Sequence, residues 1–368
     1  MFNSTFLCQI NVTRDCNLRC EHCYISTDKK VSSKYMTKDQ FYQVIDQLCD
    51  FLVSNPSYLN AEVHVIGGEP SMLGEKFFKE VLPYANEKFS QISTNVKLSI
   101  VTNLLTSRAV KVAKLFDHIS TSYEVNTRFI KVNHEHAPEL ENQWIDNCKK
   151  MIADGHKLNV TMAITKQAVD LGAKNVLEYL YQIGFRGIHT GFFIPSGDGM
   201  KHITSVFPAF EETSQFLIDA TEWYLEKRKV CDEIAVNPVE SLINSIKFNR
   251  ANDDIICPII PGSIDIDWNG ETVTCIEAGG ELGFDSMGNI FDSNISTIMK
   301  SKKYRQERRK AMKVKTSCVG CDEMEQCQMA CGILHDFWNG EGECPGFKRF
   351  IKNTRRLVEV ENVQPRYE

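Results

Sequence analysis

The 368-residue chain has no apolar run long enough to cross a bilayer. Its N-terminus, MFNSTFLCQINVTRDC, lacks a basic segment followed by an apolar stretch, so a secreted or membrane-inserted product is not expected. Positive charge is not in excess either: 42 Lys and Arg against 48 Asp and Glu leave −6, which makes nucleic acid an unexpected partner. There is no internal repeat and no low-complexity tract. The one dense basic run, from Lys300 to Lys315 (KSKKYRQERRKAMKVK), reads as a solvated helix face. With 42% hydrophobic and 24% charged residues, the chain has the make-up of a globular protein. Its length suits one large domain plus a smaller one, or two of middling size.

What is abundant is cysteine, with 14 residues. Three lie between 16 and 23 and seven between 257 and 344. Close, regular spacing reads as metal ligation before it reads as disulfides. Cys8, Cys49, Cys148 and Cys231 stand apart and are expected to be small buried hydrophobes.

Through the first two-thirds, short β-branched or apolar runs (6–12, 62–66, 96–102, 118–122, 157–163, 187–194) alternate with amphipathic stretches (38–52, 75–89, 107–116, 140–154, 173–183). Thr37 followed by Gln40, and Ser107 followed by Val110, are read as helix starts. Six strands alternating with helices predict a parallel sheet curved into a full or partial barrel. Its active site belongs at the strands' C-terminal ends. A long helix over 209–229 closes this α/β part. After Val236 the alternation stops, Gly and Cys become frequent, and Asn269-Gly270 between the short runs 264–267 and 272–276 predicts a hairpin. A basic helix, a Cys-rich segment and a helix after Pro345 follow. So irregular a region needs a cross-link or metal to fold. The expected domains are 1–236 and 237–368.

The first strand leads into Cys16-Asn17-Leu18-Arg19-Cys20-Glu21-His22-Cys23-Tyr24. Three thiolates on a short loop can hold three irons of a cubane and leave the fourth open to chelate an amino acid's amino and carboxylate groups. Zinc is the competing reading. It needs a fourth ligand, and His22, lying between two of the cysteines, would be strained in that role. These spacings, with an aromatic-type residue before the last Cys, resemble the motif of the radical SAM (S-adenosylmethionine) superfamily. The resemblance implies a [4Fe-4S] cluster on Cys16, Cys20 and Cys23 that cleaves SAM reductively. Gly67-Gly68-Glu69-Pro70, after the second strand, is similar to the family's GGEP segment, which contacts the SAM amino group. By the same resemblance, Asn103 and Ser122 at strand ends contact the sugar or carboxylate. Arg128 pairs with the carboxylate, and Gly191–Phe193, with Phe192 at its centre, frames the adenine.

The later cysteines, Cys257, Cys275 and then Cys318-x2-Cys321-x5-Cys327-x3-Cys331 and Cys344, resemble the seven-cysteine SPASM extension of radical SAM enzymes. This implies a partial (β/α)6 TIM-type barrel followed by a small Cys-rich α+β SPASM domain, with three [4Fe-4S] clusters in all. Carried over, Cys257, Cys275 and Cys331 hold the first auxiliary cluster. Cys318, Cys321, Cys327 and Cys344 hold the second. Two closed cubanes need an eighth ligand. The first is left with an open iron, with Cys231, or with a carboxylate such as Asp265 or Asp267. A pair of zinc ribbons is the alternative that the crossed pattern disfavours.

The resemblance implies an oxidation in which a 5′-deoxyadenosyl radical abstracts hydrogen and an auxiliary cluster takes the second electron. The expected substrate is a ribosomally made precursor peptide. Sulfatase maturation, dehydrogenation of a small alcohol or amino sugar, and a non-enzymatic zinc- or cluster-binding scaffold are the other readings. Glu277, two residues past Cys275, lies where sulfatase-maturing relatives keep a catalytic acid, although those use Asp in a different register. It is the candidate general base. His134 and His136 read as a polar loop. The expectations extend to a reducing cytoplasm and a flavodoxin or ferredoxin as donor. A leader peptide, with no fused N-terminal recognition domain to take it, would bind the body or a separate protein.

Overall fold

The computed structural model describes residues 5–26, 28, 34–248, 256–275, 277 and 286–360. All six expected strands form: β1 (Thr5–Asn11), β2 (Asn60–Ile66), β3 (Asn95–Val101), β4 (His118–Ser122), β5 (Leu158–Ile164) and β6 (Gly187–Phe192). Each pairs in parallel with the next. The helices between them cover the outer face. In the helix Lys38–Val53, Phe41, Val44, Ile45, Leu48 and Leu52 recur at helical spacing and are all buried. Phe51 of this helix meets Phe6 of β1 at 4.9 Å between ring centroids. Burying each such side chain contributes about 1.5–3 kcal/mol.

The inner face is polar, and one interaction shows that it is concave. Glu62 on β2 is held below its usual carboxylate range by its hydrogen bond to His64, and the charges of Lys97 and His189 act in the same direction. His189 lies on β6, four strands further round. In a flat sheet the two strands would stand roughly 19 Å apart, at about 4.8 Å per strand. The sheet is therefore rolled, with Glu62, Lys97 and His189 turned inward. This is the expected partial barrel.

The chain beyond the barrel adds to the same sheet. β7 (Ala235–Asn237) pairs in parallel with β6. β8 (Ser263–Ile266) pairs in parallel with β1, at the other edge. β9 (Glu271–Val273) and β10 (Gly288–Asn289) follow antiparallel, giving the order β10-β9-β8-β1-β2-β3-β4-β5-β6-β7. The predicted hairpin turn is present. Asp267 accepts from Gly270 N–H at 2.8 Å, and Gly270 takes φ +86°, which glycine adopts without penalty. Ile276, expected in this hairpin, lies outside the described residues. The last helix, Lys348–Val360, packs on the helices Phe210–Arg228 and Val239–Phe248, burying Phe350, Ile351 and Val358.

Two local expectations fare differently. Thr37 and Gln40 form a reciprocal capping box. The next expected start moves by one residue. Thr106, not Ser107, caps the helix Ser107–Ala113, because Thr106 is extended and its hydroxyl accepts from Ala109 N–H at 3.0 Å. Cys8, Cys49 and Cys148 are buried as expected, and Cys231 is half-buried. No disulfide joins any cysteine. Among the described residues, no helix is long and apolar enough to cross a membrane.

Candidate active site and cluster-binding centres

β1 ends at Asn11, and the chain continues along β2 before turning into the cysteine loop. Val12 N–H donates to Ile66 O at 3.1 Å, Gly68 N–H to Thr13 O at 2.9 Å, and Glu69 N–H to Asp15 O at 2.8 Å. Gly67 and Gly68 are required by this contact. A Cβ on Gly67 would stand 2.1 Å from Thr13 O, and one on Gly68 2.2 Å from Asp15 O. The pair thus seats the cysteine loop. Glu69 is buried, and its carboxylate accepts from Ser71 N–H (3.0 Å), Thr102 hydroxyl (2.7 Å) and Asn103 N–H (2.7 Å). It ties the Gly67–Pro70 segment to the end of β3. Asn103 in turn donates to Asn17 Oδ1 at 2.7 Å, inside the cysteine loop.

The other side of the loop is held by the segment after β4. Arg19 N–H donates to Ile130 O and Glu21 N–H to Thr127 O, both at 2.9 Å. The Cys20 thiol donates to Arg128 O at 3.1 Å. His22 uses both ring nitrogens, Nδ1 with Thr127 Oγ1 at 2.9 Å and Nε2 with Glu124 at 3.0 Å. It is therefore taken as a prop for the loop and is not a free fourth ligand, which weighs against zinc. Burial would raise Glu124, yet the charges of His22 and Arg128, with the His22 and Ala163 N–H hydrogen bonds, bring it down to about 2. Arg128 is buried, pairs with Glu124 at 3.0 Å and feels Cys20 and Cys16. Its Nε has no partner among the described residues.

Of the remaining expected residues, Ser122 closes β4 and accepts from the Thr161 hydroxyl at 3.5 Å. Phe192 ends β6 stacked on Phe347, ring centroids 4.4 Å apart. The segment after β6 escaped the sequence reading. A Cβ on Gly197 would stand 2.3 Å from Tyr24 O, and Gly199 N–H donates to Cys23 O at 3.0 Å. Its only signal was the Gly-Asp-Gly spacing after the last barrel strand.

The seven later cysteines fall into two sets. Burial, then the negative fields of Cys331, Glu277 and Cys257, push the Cys275 thiol well up. Burial, then Cys344, Cys318 and Cys321, push Cys327 up to about 12. These fields group Cys257, Cys275 and Cys331 with Glu277, and Cys318, Cys321, Cys327 and Cys344 with one another; among the described residues no three Cys, His, Asp or Glu side chains are placed to hold a single metal ion. A Cβ on Gly346 would stand 2.4 Å from Cys327 Sγ and 3.7 Å from Cys344 Sγ, so both thiols lie beside Gly346. The crossing is made by Gln328, Met329 and Ala330, with φ of +43°, +70° and +52°. Three successive left-handed non-glycine residues cost roughly 1–2 kcal/mol each. Thiols crowded so closely resist ionising together, and iron reverses that preference by binding the thiolates. The donors in these groups are sulfur throughout, the chemistry that iron–sulfur clusters take.

Carboxylates stand between the cysteine loop and the hairpin. Asp265 accepts from Asn11 Nδ2 with both oxygens, at 2.8 and 2.9 Å. Burial, then the charge of Asp267, raise it to about 8. Asp267 pairs with Arg14 at 2.9 Å. Asp265 is thus engaged by Asn11 and Asp267 by Arg14 through Oδ2, its buried Oδ1 having no partner among the described residues, while Glu277, raised to about 7 by burial, lies in the field of Cys275 and Cys331.

A family model described as SPASM, an iron–sulfur cluster-binding domain, matches residues 257–331. An uncharacterized protein of Methanocaldococcus jannaschii, MJ0907, is 21% identical over 263 residues, 69% of this chain and 85% of that one. Among solved structures, native anSMEcpe with bound AdoMet and Cp18Cys peptide superposes at TM-score 0.74 with 15% identity, covering 97% of this chain and 99% of that one. Streptococcus suis SuiB bound to precursor peptide SuiA gives 0.60 with 14% identity, covering 92% and 74%.

Proposed function

We propose that this chain, a radical SAM enzyme with an iron–sulfur SPASM domain, oxidatively modifies a ribosomally made peptide. What supports the reading most is the cysteine pattern, three on the loop after β1 and seven from Cys257 to Cys344, together with the SPASM match over residues 257–331. When bound, the clusters and SAM supply one-electron chemistry: SAM is cleaved to methionine and a hydrogen-abstracting 5′-deoxyadenosyl radical, and the substrate's second electron is taken up.

The chain's own residues position and protect. Cys16, Cys20 and Cys23 hold the SAM-binding cluster, with Gly67, Gly68 and Pro70 shaping the loop's seat and Glu69 fixing that segment to β3. Asn103, Ser122, Arg128 and Phe192 line the SAM pocket. Cys257, Cys275 and Cys331 would hold the first auxiliary cluster, and Cys318, Cys321, Cys327 and Cys344 would hold the second. Glu277, poised near neutrality, takes the proton that the oxidised substrate releases. The domains are 1–236 and 237–368. The enzyme works in a reducing cytoplasm with a flavodoxin or ferredoxin donor, and a separate protein can present a leader peptide.

Support for a peptide comes from the likeness to anSMEcpe and SuiB, both solved with peptides. The match to anSMEcpe along nearly its whole length, together with Glu277 beside Cys275, makes oxidation of a sulfatase residue the second reading. Dehydrogenation of a small alcohol stands third. The deciding experiment is anaerobic incubation of the reconstituted enzyme with SAM, reductant and either a short peptide encoded beside its gene or a sulfatase-derived peptide. A loss of about two hydrogens from the neighbouring peptide, with one 5′-deoxyadenosine per event, supports the first reading. Turnover of the sulfatase peptide alone supports the second.

A further inference from the structure

The basic run expected to be a plain solvated face has more structure than that. The helix Lys302–Ala311 is pinned by its inner side: Tyr304 is buried, and Arg308 donates through Nε and Nη2 to Ile260 O at 3.1 and 2.9 Å, on the turn that follows Cys257. Its outer side carries Lys302, Arg305 and Arg309 at helical spacing, continued by Lys313, all exposed and without an ion pair among the described residues. From Lys300 to Lys315 there are nine basic residues and one acid, Glu307, which is already paired with Lys310. The run ends where Cys318 N–H donates to Lys315 O at 2.9 Å, so the basic surface leads directly into the four-thiol set.

Three apolar side chains stand open among these charges: Met312 at 50% exposure, Val314 at 51% and Val319 at 73%. Val319 sits between Cys318 and Cys321, both of them half-buried. An apolar centre ringed by cations suits a folded acidic protein. A bare polyanion would use the charges and leave the apolar centre wet.

We infer that the Lys302–Lys313 stripe and the Met312–Val319 apolar centre form the docking face for a small acidic one-electron carrier of the flavodoxin or ferredoxin class. This rests on the reading of Cys318, Cys321, Cys327 and Cys344 as cluster ligands, and it adds where the carrier binds. Each productive docking moves one electron. The carrier's flavin or iron–sulfur centre loses one as the protein's cluster gains one, and no bond forms or breaks.

The test uses the cluster-loaded holoprotein and an acidic holo-flavodoxin, with affinity measured anaerobically. Arg305→Glu/Arg309→Glu/Lys313→Glu is expected to weaken binding by about tenfold or more, and wild-type affinity to fall steeply with salt while the variant's changes little. Val319→Ser, which leaves every charge in place, should weaken binding several-fold. Equal affinity of wild type and the charge-reversed variant overturns the inference. So does competition by polyglutamate or duplex DNA as strong as that of the flavodoxin. Iron content and dithionite-reduced spectra, recorded on the same samples, report separately whether the clusters are there at all: their absence sinks the ligand assignment, while flavodoxin binding scores the docking face.

Discussion

Cys327 and Cys331, four residues apart, belong to different thiol sets because Gln328, Met329 and Ala330 between them all take left-handed backbone. In an ordinary helix this spacing would place both thiols on one face. Here the chain bears local strain to send one to each set. That strain holds only where the surroundings enforce it.

Ala330 is buried at φ +52°, so a β-branched replacement meets both the backbone penalty and the packing. Ala330→Val is expected to lower stability by about 1–3 kcal/mol. It should also reduce auxiliary-cluster iron more than SAM-cluster iron, as resolved by Mössbauer spectroscopy.

Gly67→Ala and Gly68→Ala drive a methyl into the carbonyls of Thr13 and Asp15. The cysteine loop must then leave its seat. Each variant should lose about four irons per chain, the content of one cubane, and stop producing 5′-deoxyadenosine, with the auxiliary clusters retained. A full iron complement and normal SAM cleavage would contradict the seat.

Glu124, held near 2 in the folded chain against 4.5 in its ordinary state, stabilises the fold above about pH 4.5. That contribution, on the order of 3 kcal/mol, is lost as pH falls from about 4.5 toward 2. Glu124→Gln should cost stability in denaturant titrations at pH 7 and much less near pH 2.5. An equal cost at both would remove the electrostatic account of the His22–Glu124–Arg128 group.

Asp265 has the opposite sign. Its carboxyl is raised to about 8 from 3.8, so the unfolded chain releases the proton first and stability falls as pH rises across that window. Asp265→Asn, which keeps the acceptor for Asn11, should be more stable than wild type at pH 8 by a few kcal/mol, with the gap closing below about pH 4. A gap independent of pH would show that size or shape, and not ionisation, is responsible.

Much of this was legible in the chain because periodicity is local. The six barrel strands announce themselves as β-branched runs, and ten of the cysteines stand out by their spacing. What stayed hidden depends on contacts between distant residues. Glu69 reads as part of a ligand-facing GGEP turn, yet its carboxylate is committed to Thr102 and Asn103. Gly197 and Gly199 read as a loop until Tyr24 and Cys23 are seen pressed against them. The addition of β7 and β8 at opposite edges of one sheet could not be read from strands only three and four residues long. At the helix after β3, adjacent Thr106 and Ser107 both suit a cap, and only the backbone's entry angle selects Thr106.

The most direct test of the account is an anaerobic iron and sulfide count with Mössbauer spectroscopy, on wild type and on Cys16→Ala/Cys20→Ala/Cys23→Ala. Wild type should hold about twelve irons and twelve sulfides and release 5′-deoxyadenosine from SAM, and the triple variant about eight of each with no release. Stoichiometric zinc, or about four irons in wild type, would contradict it.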